Sequence, residues 1–560
     1  MLHQPVAPWK ALIALCLLLS GCTEHSVEPP THDIPMRARA IRAHMEFLAD
    51  DLLEGREAGT RGYDIAAKYV AANFATAGLE PAGSNGSYFQ PVTLRKSTLV
   101  MDSVSFTITQ SDTSRNFVNG KDVAIFANVA QEEQQIEAPL TFVGYGIVAP
   151  EFGLDDYAAL DVKGRVVAVL GGPPPYLPSE AAAHYGSTSQ QRKTAAAHGA
   201  IGTLIIYTPA LEARFAFDRL RSILPETDIN WVLDGRVHQD APEILISVLL
   251  GKEAAEFLLR SAPQSLAGIL QTAKTTPPKG FALPAKVSLA RRSRHESGAS
   301  ANVVALLPGS DPRLANEVVL LCGHLDHVGV GAPENGDRIY NGALDNSIGI
   351  ALMLEIAHTL ATGPARPHRS ILLLAVTAEE KGLIGSDYYA SNPTVPIERI
   401  VANVNLDGAL PFYEFVDIVA FGSEHSTLEK HVSHAAATMG LAVSPDPFPE
   451  QGMFTRSDHY SFVQKGIPSL MLFMGMSGGP SGKAGREAWD DFTAHHLHRP
   501  SDDLSLPIDF EVAARFAEVY RRVTLDIANA QSRPRWYKDD VFGERYAPDA
   551  IKAPRPVKRI

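Results

Sequence analysis

The chain reads as an α/β protein, a mostly parallel mixed sheet sandwiched by helices and interrupted by an inserted β-rich region. Two observations carry that expectation. From about residue 300 onward, apolar runs at 301–307, 318–321, 371–376 and 400–406 alternate with helical stretches, notably 348–360. Strands separated by helices imply a sheet covered on both faces. Between about residues 97 and 290 the texture is different. Alternating runs such as Val104-Ser105-Phe106-Thr107-Ile108 read as strands, as do 140–147, 165–170 and 202–207, with a helix over 193–199.

The part before the insert is helical. Ile41, Met45, Leu48 and Leu52 recur at helical spacing, and Ala66, Tyr69, Val70, Phe74 and Ala77 share one face of a second helix over 63–77, stopped by Gly78. Between the two helices stands a glycine-rich turn from Leu53-Glu54-Gly55-Arg56 to Gly62. The resulting division is a leader at 1–22, a tether at 23–36, a first part of the main domain at 37–96, the insert at 97–292, the remainder of the main domain at 293–532 and an extension at 533–560. The extension is rich in proline and charge and is expected to wrap the domain or to be partly disordered. No internal repeat is evident.

Composition excludes several classes. The chain has 560 residues, enough to bury large cores without a disulfide framework, and a formal net charge of −13 without a long basic run. That balance argues against nucleic acid and against anionic membrane as partners. Of the three cysteines, Cys16 and Cys22 belong to the leader, and Cys322 lies in an apolar run that favours an inert buried thiol. The leader has a positive Lys10 and an apolar core at 11–19, too short to span a bilayer comfortably, and ends in Leu19-Ser20-Gly21-Cys22. That ending resembles the bacterial lipoprotein box. It implies export, lipidation of Cys22 and attachment to the cell envelope through the lipid. No second apolar segment is long enough to cross a membrane.

Residues with chemical potential cluster just after the apolar runs of the second half, where the ligand sites of open α/β sheets lie. Gly323-His324-Leu325-Asp326-His327 follows the 318–321 run, and Gly342-Ala343-Leu344-Asp345-Asn346-Ser347 leads into the 348–360 helix. Taken alone, Asp345 fits a helix N-cap as well as it fits a carboxylate bridging two cations. Thr377-Ala378-Glu379-Glu380 follows the 371–376 run, and adjacent glutamates there are unfavourable unless a cation neutralises them or solvent surrounds them. Asn405-Leu406-Asp407-Gly408 ends the next run, and His495-His496-Leu497-His498 begins a loop before the last helix. Histidines and carboxylates gathered at one rim suit zinc, with cobalt or manganese as substitutes. Five protein ligands exceed the three expected around one catalytic zinc.

His324-x-Asp326, Gly-x-x-Asp345-Asn346, Glu379-Glu380, Asp407 and His498 together resemble the motif set of the co-catalytic di-zinc aminopeptidases, whose fold is shared with glutamate carboxypeptidase and the transferrin receptor. Leu53-Glu54-Gly55-Arg56 resembles that family's N-terminal signature, and Ser457-Asp458-His459 matches a further family stretch. Gly144-Tyr145-Gly146-Ile147-Val148-Ala149-Pro150 and Asp161-Val162-Lys163-Gly164 resemble a protease-associated domain, covering about 135–290. The resemblance implies a zinc-exopeptidase fold, peptide substrates cut at the N-terminus, and two zinc ions. In its terms His324 and Asp407 hold one zinc, Glu380 and His498 the other, Asp345 bridges them, Asp326 orients His324 and Glu379 is the general base. It departs from the family where several members carry a tyrosine for the oxyanion. Leu497 and Phe454 stand near those places, which leaves Tyr460, Arg456 or the metal as candidates. A carboxypeptidase or dipeptidase on the same fold would share every ligand. A glutaminyl cyclase would use one zinc, and a non-catalytic receptor-like protein would lack ligands that this chain retains.

Overall fold

In the computed structural model, residues 34–556 are described, apart from 112, 225, 226 and 480. The leader and Cys22 lie outside the described residues. Residue 34 already belongs to a helix, Ile34–Leu48, so the expected tether ends in helical structure.

The central sheet is mixed and mostly parallel. Its strands run in the spatial order Ala442–Ser444, Asp417–Phe421, Ser469–Met474, Ile400–Asn405, Val318–His324, Ser370–Val376 and then the end of a long strand, Phe281–Leu307. Ser469–Met474, Ile400–Asn405, Val318–His324 and Ser370–Val376 are mutually parallel, so their C-terminal ends share one edge. Because successive strand residues point to opposite faces, Val319 and Leu321 join one core while Val318, Leu320 and Cys322 join the other. The first core is covered by the helices Ile34–Leu48, Arg61–Thr76, Ile348–Thr362 and Phe510–Asn529. The second is covered by Tyr389 and Ala390 of Ile384–Ser391 and by Phe462 of His459–Val463. This is the expected sandwiched sheet. Cys322 is buried there and unpaired.

The insert forms a second sheet with its own core. Val123–Ala124, Ile246–Leu250, Gly202–Ile206, Val166–Leu170 and Glu133–Phe142 lie side by side, followed by the first half of Phe281–Leu307 and by Ser105–Gln110 and Thr113–Phe117. Phe281–Leu307 is one strand of 27 residues that serves both sheets, pairing with 133–142 at its start and with 370–376 at its end. The expected break between insert and main domain near residue 292 therefore falls inside a continuous strand. A second difference concerns 140–147. The strand ends at Phe142, and Gly144 and Gly146 take positive φ to turn the chain so that Asp156 accepts from the Tyr145 and Ile147 amides.

The extension is part of the packed structure. It carries a short helix, Val541–Tyr546, and Trp536, Tyr537 and Phe542 are buried. Phe542 meets the rings of His184 from the insert and of His425 and Phe454 from the main domain. His425 Nδ1 lies 2.7 Å from Asp540 Oδ2, and its Nε2 meets Glu180 of the insert. Among the described residues no helix is long and apolar enough to cross a membrane. Phe542→Ala is expected to cost about 3–5 kcal/mol of stability through the cavity it leaves. Ile551→Ala, at a side chain 73% exposed, should stay within about 0.5 kcal/mol. Denaturant titration of both variants checks the contrast.

Candidate metal centre

Three parallel neighbours deliver most of the site. His324 is the last residue of Val318–His324, Glu379 and Glu380 follow Ser370–Val376, and Asp407 follows Ile400–Asn405. Asp345 comes from the irregular turn Ala343–Ser347 that enters the helix Ile348–Thr362, where its peptide to Asn346 is cis. His498 lies in the loop after the helix Ala484–His495 and takes a left-handed φ of 54°.

These six side chains converge. Asp345 Oδ1 is 3.2 Å from His324 Nε2, and its other oxygen, Oδ2, is 3.2 Å from His498 Nε2. Asp407 Oδ1 is 3.3 Å from His324 Nε2, and Glu380 Oε2 is 3.0 Å from His498 Nε2. Each histidine thus faces one oxygen of Asp345 and one of a second carboxylate. Two ligand atoms held about 2.0–2.1 Å from a tetrahedral cation are about 3.3 Å apart, so these separations suit shared coordination. Glu379 joins His324 and Glu380 in a group whose potential ligand atoms lie within 4.8 Å of one another.

The surrounding residues hold this arrangement through the backbone. His324 Nδ1 lies 3.1 Å from the Asp326 main-chain carbonyl, an acceptor that leaves Nε2 free to bind. The Asp326 carboxylate does a different job from the one the sequence resemblance implies. It accepts from the Glu379 and Glu380 amides at 3.1 and 3.4 Å and so fixes the turn that presents both glutamates. The N-cap alternative for Asp345 is taken by its neighbour, because Asn346 Oδ1 accepts from Gly349 at 3.1 Å while Asn346 Nδ2 donates to the Leu406 carbonyl at 2.9 Å. A Cβ on Gly349 would stand 2.1 Å from Asn346 Oδ1, which explains a glycine inside the first turn.

Four residues in or near the quoted motifs have roles that spacing alone does not reveal. His327 Nδ1 lies 2.6 Å from Glu380 Oε1. Ser457 Oγ donates to Asp407 Oδ2. Asp502, fully buried, accepts from the Leu344 and Asp345 amides at 2.9 and 3.1 Å. Arg56, also buried, donates to the carbonyls of Leu48, Leu325, Asn341 and Gly342, pinning the loops that carry His324 and Asp345. Gly55 beside it has φ 65°, and a Cβ there would come within 2.5 Å of the Tyr340 and Gly329 carbonyls. Of the oxyanion candidates, Tyr460 turns its hydroxyl to His184 of the insert.

Negative charge is concentrated here. Burial pushes Asp326, Asp458 and Asp502 up to about 7. Burial also lifts Glu379 well above the usual carboxylate range, with Glu380, Asp458 and Asp407 adding to the rise against the pull of His324. Burial disfavours the imidazolium forms of His324 and His498. The surrounding carboxylates, Glu379 and Asp407 for the first and Glu380 and Asp345 for the second, outweigh it and hold both well above the ordinary histidine range. Asp345 sits well below its usual range despite burial because both histidines bond to it. This pattern is what a cluster of ligands produces when its own imidazoles must balance its carboxylates.

A cavity of about 680 Å³ lies between the insert and the main domain. Arg192, Asp240 and Arg291 line it from the insert, and Lys381, Asp387 and Thr455 from the side of the centre.

A mostly parallel sheet that gathers histidines and carboxylates at the C-terminal ends of its strands defines an α/β domain with a candidate metal centre. Residues 302–524 match the model of Peptidase family M28. Leupeptin-inactivating enzyme 1 of Streptomyces exfoliatus is 33% identical over 184 residues, 32% of this chain and 37% of that protein. Probable leucine aminopeptidase 2 of Aspergillus oryzae is 32% identical over 196 residues, 33% of this chain and 36% of that protein. The matches thus span less than two fifths of either relative's length. The solved aminopeptidase from Aneurinibacillus sp. strain AM-1 superposes with a TM-score of 0.50 at 18% identity, covering 94% of this chain and all of that one, and so shares the fold.

Removing Arg56 would strand four buried carbonyls. Arg56→Ala is expected to cost about 3 kcal/mol or more, with calorimetry showing the lower melting temperature and metal analysis a weakened centre.

Proposed function

We propose that this chain is a metal-dependent aminopeptidase that removes residues from the N-termini of peptides, holding two zinc ions with His324 and Asp407 on one, Glu380 and His498 on the other, and Asp345 between them. The observation that carries this reading is the division of Asp345, one oxygen toward each histidine at 3.2 Å. A lone structural carboxylate has no need to face two imidazoles in this way. The mixed nitrogen and oxygen donor set suits zinc, with cobalt or manganese as substitutes.

When bound, the metal ions supply Lewis-acid polarisation of the scissile carbonyl and lower the pKa of an attacking water. The protein's own groups do the rest. Glu379 is the general base, taking a proton from that water and delivering it to the departing amine. Its carboxyl lies beside His324 and Glu380, and its backbone amide is fixed by Asp326. The buried carboxylates favour a protonated α-amine close to the scissile bond, which supports exopeptidase cleavage. The name of one relative given above, probable leucine aminopeptidase 2 of Aspergillus oryzae, points the same way. The insert, as a protease-associated domain, would limit access through the cavity it shares with the main domain. The sequence Leu19-Ser20-Gly21-Cys22 supports export and lipid attachment at Cys22 to the bacterial envelope, which mass spectrometry of the N-terminal peptide tests.

Glu379→Gln is expected to keep its zinc while losing at least about 100-fold in kcat on aminoacyl anilides. Near-normal turnover would remove Glu379 as the base. His498→Ala should lower the zinc stoichiometry read by elemental analysis, and an unchanged ratio would refute its role as a ligand. A strong chelator should abolish hydrolysis, with added zinc restoring it.

A further inference from the structure

Three potential metal ligands that do not belong to the centre meet where the insert joins the main domain. Glu180 stands in the first turn of the insert helix Ser179–Gly186, which packs on the turns Pro449–Gln451 and Met453–Thr455 of the main domain. Glu424 and His425 come from the turn Ser423–His425, just after the strand Asp417–Phe421. One carboxylate oxygen from each glutamate and one ring nitrogen of His425 lie within 4.8 Å of one another.

Two of these donors are oriented from behind. His425 Nδ1 lies 2.7 Å from Asp540 Oδ2, an oxygen that Arg555 also meets at 2.9 Å. Glu180 Oε1 accepts from the Gly422 amide at 2.6 Å. Their inward atoms are in a different state. Glu180 Oε2 and His425 Nε2 meet, both are shut off from water, and neither forms a hydrogen bond. Glu180 is only 7% exposed. A buried carboxylate oxygen and a buried ring nitrogen are each costly without a partner. A cation shared by the two removes both costs, and a carboxylate behind the far ring nitrogen is the usual support of a metal-bound histidine. An imidazolium pinned between Glu180 and Asp540 would account for Asp540. It would not account for the missing hydrogen bond to Glu180 or for the third donor. Glu424 is exposed, which gives an ion a way in.

We infer that Glu180, Glu424 and His425 form a second metal site, separate from the centre, for a divalent transition cation such as zinc. One imidazole nitrogen with two carboxylate oxygens suits zinc, whereas calcium and magnesium take oxygen ligands. The ion ties the insert to the main domain and, through Asp540 behind His425, to the extension. The site has a structural role and does not depend on the aminopeptidase reading.

The test counts zinc by elemental analysis in the full chain after dialysis against one buffered free-zinc concentration. Glu180→Gln should carry about one zinc fewer per chain than the wild type, with thermal melting used to verify that it is folded. Glu424→Gln alters an exposed side chain and should weaken that same ion at least about ten-fold in competition with a chelator. His498→Ala removes a donor of the centre, so its loss of zinc should add to that of Glu180→Gln in the double variant. A zinc count unchanged by Glu180→Gln, or an affinity unmoved by Glu424→Gln, would overturn the site and leave a Glu–His–Asp pin without metal. Losses that do not add would place the missing ion in the centre and overturn it equally.

Discussion

The structure depends on the neutralisation of negative charge at one edge of its sheet. Asp326, Glu379, Glu380 and Asp407 come together after the ends of parallel strands and meet Asp345 from the turn before a helix, with Asp326 buried and the other four partly buried. Carboxylates this close cannot all remain charged without compensation. His324 and His498 provide part of it, and Asp345 is the group both require. The separations near 3 Å are those of donors grouped around a common centre, and the family match over residues 302–524 gives that grouping a chemical context.

Charge alone would not hold the groups in register. The precision comes from uncharged backbone partners engaged by charged side chains. Asp326 fixes the amides of the two glutamates, Asp502 fixes the amide of Asp345, and Arg56 ties four carbonyls of the adjoining loops. Each of these side chains is buried, so each would be costly if unpaired. The arrangement therefore has little freedom to relax, which is the condition for a preorganised site.

Much of this was legible in the amino-acid sequence because apolar strands end where the polar chemistry begins. The runs at 318–321, 371–376 and 400–406 located His324, Glu379, Glu380 and Asp407, and their alternation with helices gave the sandwiched sheet. What remained hidden were the choices of individual acceptors. Spacing put Asp326 on the same side as His324 but could not tell that its carbonyl, not its carboxylate, would meet the ring. It allowed Asp345 to be an N-cap, a role that Asn346 takes. The pairing of Ser457 with Asp407 and of Tyr460 with His184 joins residues far apart in the chain, beyond the reach of local pattern. For the extension the sequence left a wrap and partial disorder both open, because its charge and proline mask the aromatic residues that anchor it.

The long strand Phe281–Leu307 has a consequence for how the two sheets communicate. A domain inserted by flexible linkers can swing independently, whereas this one shares a continuous hydrogen-bonded beam with its host. At its far end the beam pairs with Ser370–Val376, the strand that presents Glu379 and Glu380. A single piece of backbone thus belongs to both sheets.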